Sequence, residues 1–148
     1  MIGVPGGGKS TWIRNNIHGK TLIASADHFF EDEQGKYNFD KSKLPAAHKQ
    51  SFNRFIQGLE DPEIENVVLD NTNTKKKSMR DYVMEANLRG YPVTIVVIQA
   101  DINKAAARNT HGVPLETIAR MNDEIQNTLK MGFPDSWDIK EVRVVKDA

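Results

Sequence analysis

The run Gly3-Val4-Pro5-Gly6-Gly7-Gly8-Lys9-Ser10 constrains this chain more than any other feature. It satisfies the spacing Gly-x4-Gly-Lys-Ser in full. The glycines let the loop curl so that backbone N–H groups converge on phosphate oxygens. The helix expected to follow, through Thr11-Trp12-Ile13-Arg14, turns its positive N-terminus on the same oxygens. Lys9 adds a point charge over the β- and γ-phosphates, and Ser10 offers a hydroxyl to Mg²⁺. Gly3, Pro5, Gly6, Gly7, Gly8, Lys9, Ser10 and Thr11 are therefore the expected ATP-binding residues. With glycine at about 7% of residues, the pattern arises by accident in under about 1% of chains this long. It speaks for binding a nucleoside triphosphate and does not choose between hydrolysis and transfer.

The rest of the chain alternates short apolar runs with helical patterns. Thr21–Ala24 reads as a buried strand, Leu44–Leu59 as a helix, Val67–Leu69 as a second strand and Val93–Ile98 as a third. Thr74 is the expected cap of a helix from Lys75 to about Arg89, stopped by Gly90. Ile102–Asn109 reads as a short helix, Pro114 opens another to about Lys130, and Glu141–Val145 reads as an edge strand. Residues 28–43 read as a loop. This order predicts an α/β fold of three layers, α/β/α, around a mainly parallel sheet. A single domain over residues 1–148 is expected. A phosphate loop normally follows a strand of about five residues. Only Met1 and Ile2 precede Gly3, so the first strand reads as truncated.

Composition narrows the function classes. A chain of 148 residues buries roughly 70% of its unfolded surface, so it needs no disulfide or metal staple. Twenty basic and twenty acidic side chains give a net charge of zero, so no global basic field draws nucleic acid or an anionic membrane. Cysteine is absent, which excludes a thiol nucleophile and a cysteine-ligated zinc. No apolar stretch is long enough for a span, and no leader pattern opens the chain, so a cytoplasmic protein without a membrane partner is expected. Oligomeric state leaves no mark on the sequence.

Three further places carry candidate chemistry. Asp27 lies just past a strand end, where α/β sheets open their ligand crevice. A carboxylate there accepts the proton of an attacking hydroxyl, or it caps a helix. Asp70 closes the strand Val67–Leu69 as in a Walker B arrangement supporting Mg²⁺, with capping as the alternative. No Asp-Glu pair ends a strand, which favours transfer over a dedicated hydrolase. Arg108-Asn109-Thr110-His111-Gly112-Val113-Pro114 suits a lid with a cation for the transferring phosphoryl group. It equally suits a helix end followed by a tight turn. The aromatic stretch His28–Tyr37 reads as a loop pinned by buried rings or as a base-stacking surface. Lys75-Lys76-Lys77 reads as a solvated face or a phosphate-backbone contact.

Taken together, these residues resemble the P-loop kinase domain of phage-type polynucleotide 5′-hydroxyl kinases. They resemble more closely the related kinase-like domain of proteins that bind Nedd-type ubiquitin ligases. The matching motifs are Gly3–Thr11, Ser25-x-Asp27-x-Phe29, Gly35-x-Tyr37-x-Phe39-Asp40, Leu44-x-x-Ala47-His48, Asp70-Asn71-Thr72-Asn73 and Arg108–Pro114. They stand in the family's order. The resemblance implies a P-loop kinase using ATP and Mg²⁺, with Lys9, Asp27 and Arg108 catalytic. Asp27 would be the general base, and Ser10 and Asp70 the metal side. Asp70, Asn71, Asn73 and His48 would face the acceptor. Two positions depart from the phage-type pattern. Phe30 stands where those kinases carry an acceptor-binding arginine, and His111-Gly112 stand where their lid has a second arginine. The expected function is transfer of the ATP γ-phosphoryl to a hydroxyl, foremost the 5′-OH of a DNA or RNA end. A small-metabolite or nucleoside kinase, and a nucleotide-binding ATPase or switch, are the alternatives.

Overall fold

The computed structural model describes residues 1–146. It holds four strands and five α-helices: α1 (Lys9–Asn16), β1 (Thr21–Ala24), α2 (Leu44–Glu60), β2 (Asn66–Leu69), α3 (Arg80–Leu88), β3 (Thr94–Gln99), α4 (Ile102–Arg108), α5 (Leu115–Met131) and β4 (Glu141–Lys146). β1 pairs in parallel with β2, and β3 in parallel with β4. The segment 1–3 joins the two ladders. Ile2 bridges Val97 in parallel, donating to Val96 O and accepting from Ile98 N–H at 2.8 Å each. On its other side the Met1 nitrogen donates to Leu69 O at 2.9 Å and Gly3 N–H to Thr72 O at 3.1 Å. The spatial order is β1, β2, segment 1–3, β3, β4. All run the same way, so the phosphate loop leaves from the middle of the sheet. The architecture is the α/β one expected of a P-loop kinase-like chain.

β3 shows why helices must cover both faces. Successive strand residues point to opposite sides. Ile95 and Val97 on one side, and Val96 and Ile98 on the other, are all buried. Ile95 and Val97 join Ile2, Val4, Val83, Ala105, Ile118 and Ile125 in the main cluster. A second cluster lies under α2 and α3, where Phe55, Leu59, Tyr82 and Ala86 pack with Ala24 and Leu69. α2 offers one buried stripe, Ala47, Ser51, Phe55 and Leu59, at helical spacing. Gly58 lets it close on the strands, since a Cβ there would stand 3.0 Å from the Val67 side chain and 3.1 Å from Leu22. The tyrosine hydroxyls here are satisfied: Tyr82 Oη donates to Ser51 Oγ at 3.0 Å and Tyr91 Oη to Leu59 O at 2.7 Å. No helix among the described residues is long and apolar enough to cross a membrane.

Two expectations are corrected. The helix predicted from Lys75 begins at Arg80, and residues 76–78 form a 3₁₀ turn. Thr74 caps nothing; Thr128 Oγ1 donates to its carbonyl at 2.6 Å, and Lys75 pairs with Glu124 at 3.9 Å. The turn is thus tied to α5, and three lysines opposing the helix dipole give no incentive to start earlier. The stretch read as a loop is also more ordered. It holds 3₁₀ turns at Ala26–Phe30 and Lys41–Lys43, opened by the side chains of Ser25 and Asp40.

Candidate active site

The phosphate loop runs from segment 1–3 into α1. Gly6 and Gly8 adopt φ of 74° and 102°, left-handed values that side chains resist. Gly8 is the N-cap of α1, with no side chain in the way of the helix's first N–H groups. The Lys9 ammonium folds back and donates to Gly3 O at 3.0 Å and Val4 O at 3.1 Å. Burial pushes it below the usual lysine range, while the charges of Asp70 and Asp27 pull the other way. Ser10 and Thr11 are exposed at the mouth.

Both candidate carboxylates stand at this edge of the sheet, beyond the carboxyl ends of β1 and β2. Asp70 follows β2, and its N–H donates to Ala24 O at 2.8 Å. Its side chain caps no helix. Asp27 lies in the 3₁₀ turn after β1. The cap there is Ser25, whose Oγ accepts from Asp27 N–H at 3.2 Å. The Asp27 carboxylate is left for other work and is 49% exposed. Its Oδ1 accepts from Tyr37 Oη at 3.2 Å, and its Oδ2 stands 3.6 Å from His111 Nδ1.

His111 comes from the predicted lid, which the structure forms as a braced loop. Asn109 Nδ2 donates to Ala106 O at 2.9 Å and to Val113 O at 3.1 Å, and its Oδ1 accepts from Val113 N–H at 2.9 Å. The same asparagine lies against the phosphate loop. A Cβ on Gly6 would overlap Ala105 O and stand 2.9 Å from Asn109 N. Arg108 is the last residue of α4, exposed and at the root of this loop.

The other expected acceptor residues fall less together. Asn71 Oδ1 accepts from Ala26 N–H at 2.9 Å, tying the turn after β1 to the end of β2. Asn73 is corrected: it is 3% exposed, at φ 49°, with Nδ2 donating to Met1 O at 2.7 Å. A buried amide already spent on the backbone is not open to an acceptor. His48 is exposed on α2. Phe30 is buried at 5% with Ala26 and Ala47, which explains an apolar residue there. Of the rings in this stretch only Phe30 is fully buried; Phe39 is 55% exposed. Sequence reasoning placed Tyr37 in a ring-pinned or base-stacking stretch and gave it no link to Asp27. Its signal was the Gly35-x-Tyr37-x-Phe39-Asp40 motif, and its partner lies on a distant segment.

The loop fits a nucleoside triphosphate with Mg²⁺. The glycines bring backbone close, Ser10 is exposed at the start of α1, and the charges of Asp70 and Asp27 both act on the Lys9 ammonium. Among the described residues no group of three or more His, Cys, Asp or Glu side chains could hold a metal by itself. Mg²⁺ needs only one or two protein oxygens plus substrate phosphates, and the Ser10 hydroxyl and the Asp70 carboxylate are oxygen donors of that kind. The chain is 32% identical over 151 residues to NEDD4-binding protein 2 of Homo sapiens, covering 95% of this chain and 8% of that protein. It thus corresponds to a small part of that relative's length. Residues 1–128 match the AAA domain family. The chain belongs to that family, and its architecture is that of a P-loop, nucleotide-binding kinase-like protein.

Proposed function

We propose that this protein transfers the γ-phosphoryl group of ATP to a hydroxyl, with the 5′-OH of a DNA or RNA end as acceptor. One observation carries the reading. Asp27 is half-exposed, is not the cap of its own turn, and its charge acts on the phosphate-loop lysine. An accessible carboxylate whose charge acts on the phosphate-loop lysine suits a base that takes the proton of an attacking hydroxyl.

The loop N–H groups, Lys9 and the α1 N-terminus hold the triphosphate. Ser10 and Asp70 would hold Mg²⁺, which supplies charge neutralisation on the phosphates. Asp27 accepts the proton of the acceptor hydroxyl as its oxygen bonds to the γ-phosphorus and the bond to the β-γ bridging oxygen breaks. ADP leaves. Arg108 neutralises charge that grows during transfer, and the lid keeps water out. Catalysis here is mostly positioning and electrostatics.

Buried Phe30 favours a second reading, a small hydroxyl acceptor such as a nucleoside, because it offers no cation to a neighbouring acceptor phosphate. Labelled ATP incubated with 5′-OH oligonucleotides, nucleosides and sugars separates the two. The first reading expects label on oligonucleotide 5′ ends, with acceptor binding that weakens steeply with salt. Label on nucleosides alone supports the second. ADP release that ignores every acceptor supports neither and indicates a hydrolytic switch.

A further inference from the structure

We propose that Tyr37 and His111 are positioning residues that jointly orient the Asp27 carboxylate toward the acceptor hydroxyl. The proposal rests on the reading of Asp27 as the base. A half-exposed carboxylate has a soft terminal torsion, and a base is efficient only when a lone pair is aimed. Here each oxygen has its own brace. Oδ1 takes the hydrogen bond of the Tyr37 phenol, and Oδ2 lies within ion-pair reach of the His111 imidazole. The two braces also hold each other, with ring centroids 3.9 Å apart and planes within 10°. A carboxylate has about four lone-pair positions, so these two contacts leave room for the proton of an acceptor.

Each brace is anchored separately. Tyr37 packs edge-on against buried Phe30, with centroids 6.0 Å apart, and forms a backbone bridge with Glu31. His111 sits on the loop closed by Asn109, which abuts the phosphate loop at Gly6. The orientation of Asp27 is therefore set by the loop after β1 and by the lid together. The Tyr37 phenol is pushed up to about 12, first by burial and then by the Asp27 charge and hydrogen bond.

Tyr37→Phe removes only the phenol oxygen, and His111→Phe keeps an aromatic ring in the stack without its nitrogens. Each should lower kcat about 5- to 10-fold, with the KM for ATP changed less than about twofold. In an Asp27→Asn background the further change Tyr37→Phe should cost less than about twofold, since no base is left to orient. A purely structural role would cost the same factor in both backgrounds and overturn the proposal. A second readout needs no activity. In ultraviolet titration, Asp27→Asn should bring one high-titrating tyrosine down toward the ordinary value of about 10. An unmoved titration overturns the contact itself. Failure of the underlying reading looks different: Asp27→Asn would transfer phosphate at the wild-type rate. An impaired Asp27→Asn with a fully active Tyr37→Phe refutes the positioning role alone.

Discussion

Gly6→Ala tests whether the phosphate loop is built against the lid. The added Cβ would overlap Ala105 O and stand 2.9 Å from Asn109 N, both backbone atoms of the α4 end. Backbone cannot swing aside as a flexible side chain does. The residue also sits at φ 74°. The left-handed conformation costs about 1–2 kcal/mol for a residue with a Cβ, and forcing atoms into a filled contact adds about 1–3 kcal/mol. Their sum is about 2–5 kcal/mol of lost stability. Gly112→Ala is the internal control. Its φ is 71°, but a Cβ there meets nothing within 4 Å, so only the conformational term of about 1–2 kcal/mol remains. Urea unfolding followed by circular dichroism gives both values. Calorimetric ATP binding should fall about tenfold or more for Gly6→Ala, because the loop must yield if α4 does not. Equal stability losses in the two variants, with ATP affinity kept in both, would refute the bracing of the loop on α4.

Arg108→Ala should lower kcat more than it weakens ATP binding, because the charge Arg108 offsets grows in the transition state. Steady-state kinetics with ATP titrations decide this, and a tenfold affinity loss at constant kcat would make it a ground-state clamp. Asn73→Ala should cost roughly 2 kcal/mol, from the lost hydrogen bond to Met1 O and the left-handed backbone. The acceptor KM should stay the same; a stable variant with a raised acceptor KM would return Asn73 to the acceptor site.

The phosphate loop was legible in the sequence because its chemistry demands glycines and a lysine at fixed spacing. β1 was placed at Thr21–Ala24 because an uninterrupted apolar run between polar turns has few other uses. The start of α3 was not legible. Local signals at Thr74 favoured a cap, but contacts from Thr128 and Glu124 on α5 took the turn elsewhere. Asn73 misled for a similar reason. An asparagine in a motif looks like a ligand, and only the fold reveals its amide buried beneath Met1 O. The braces on Asp27 join two segments with no shared periodicity, so nothing local announces them.

Phosphoryl transfer from labelled ATP to a 5′-OH oligonucleotide, measured for the wild type, Lys9→Ala and Asp27→Asn, tests the central claim most directly. The wild type should label the 5′ end. Lys9→Ala, which removes the cation bonded to the loop carbonyls, should lose at least about 10²-fold with the circular dichroism spectrum intact. Asp27→Asn keeps shape and an acceptor oxygen, yet should lower kcat about 10²-fold or more while ATP affinity and Tm hold. An Asp27→Asn protein that labels the oligonucleotide at the wild-type rate would contradict the account and move the role of base to Asp70.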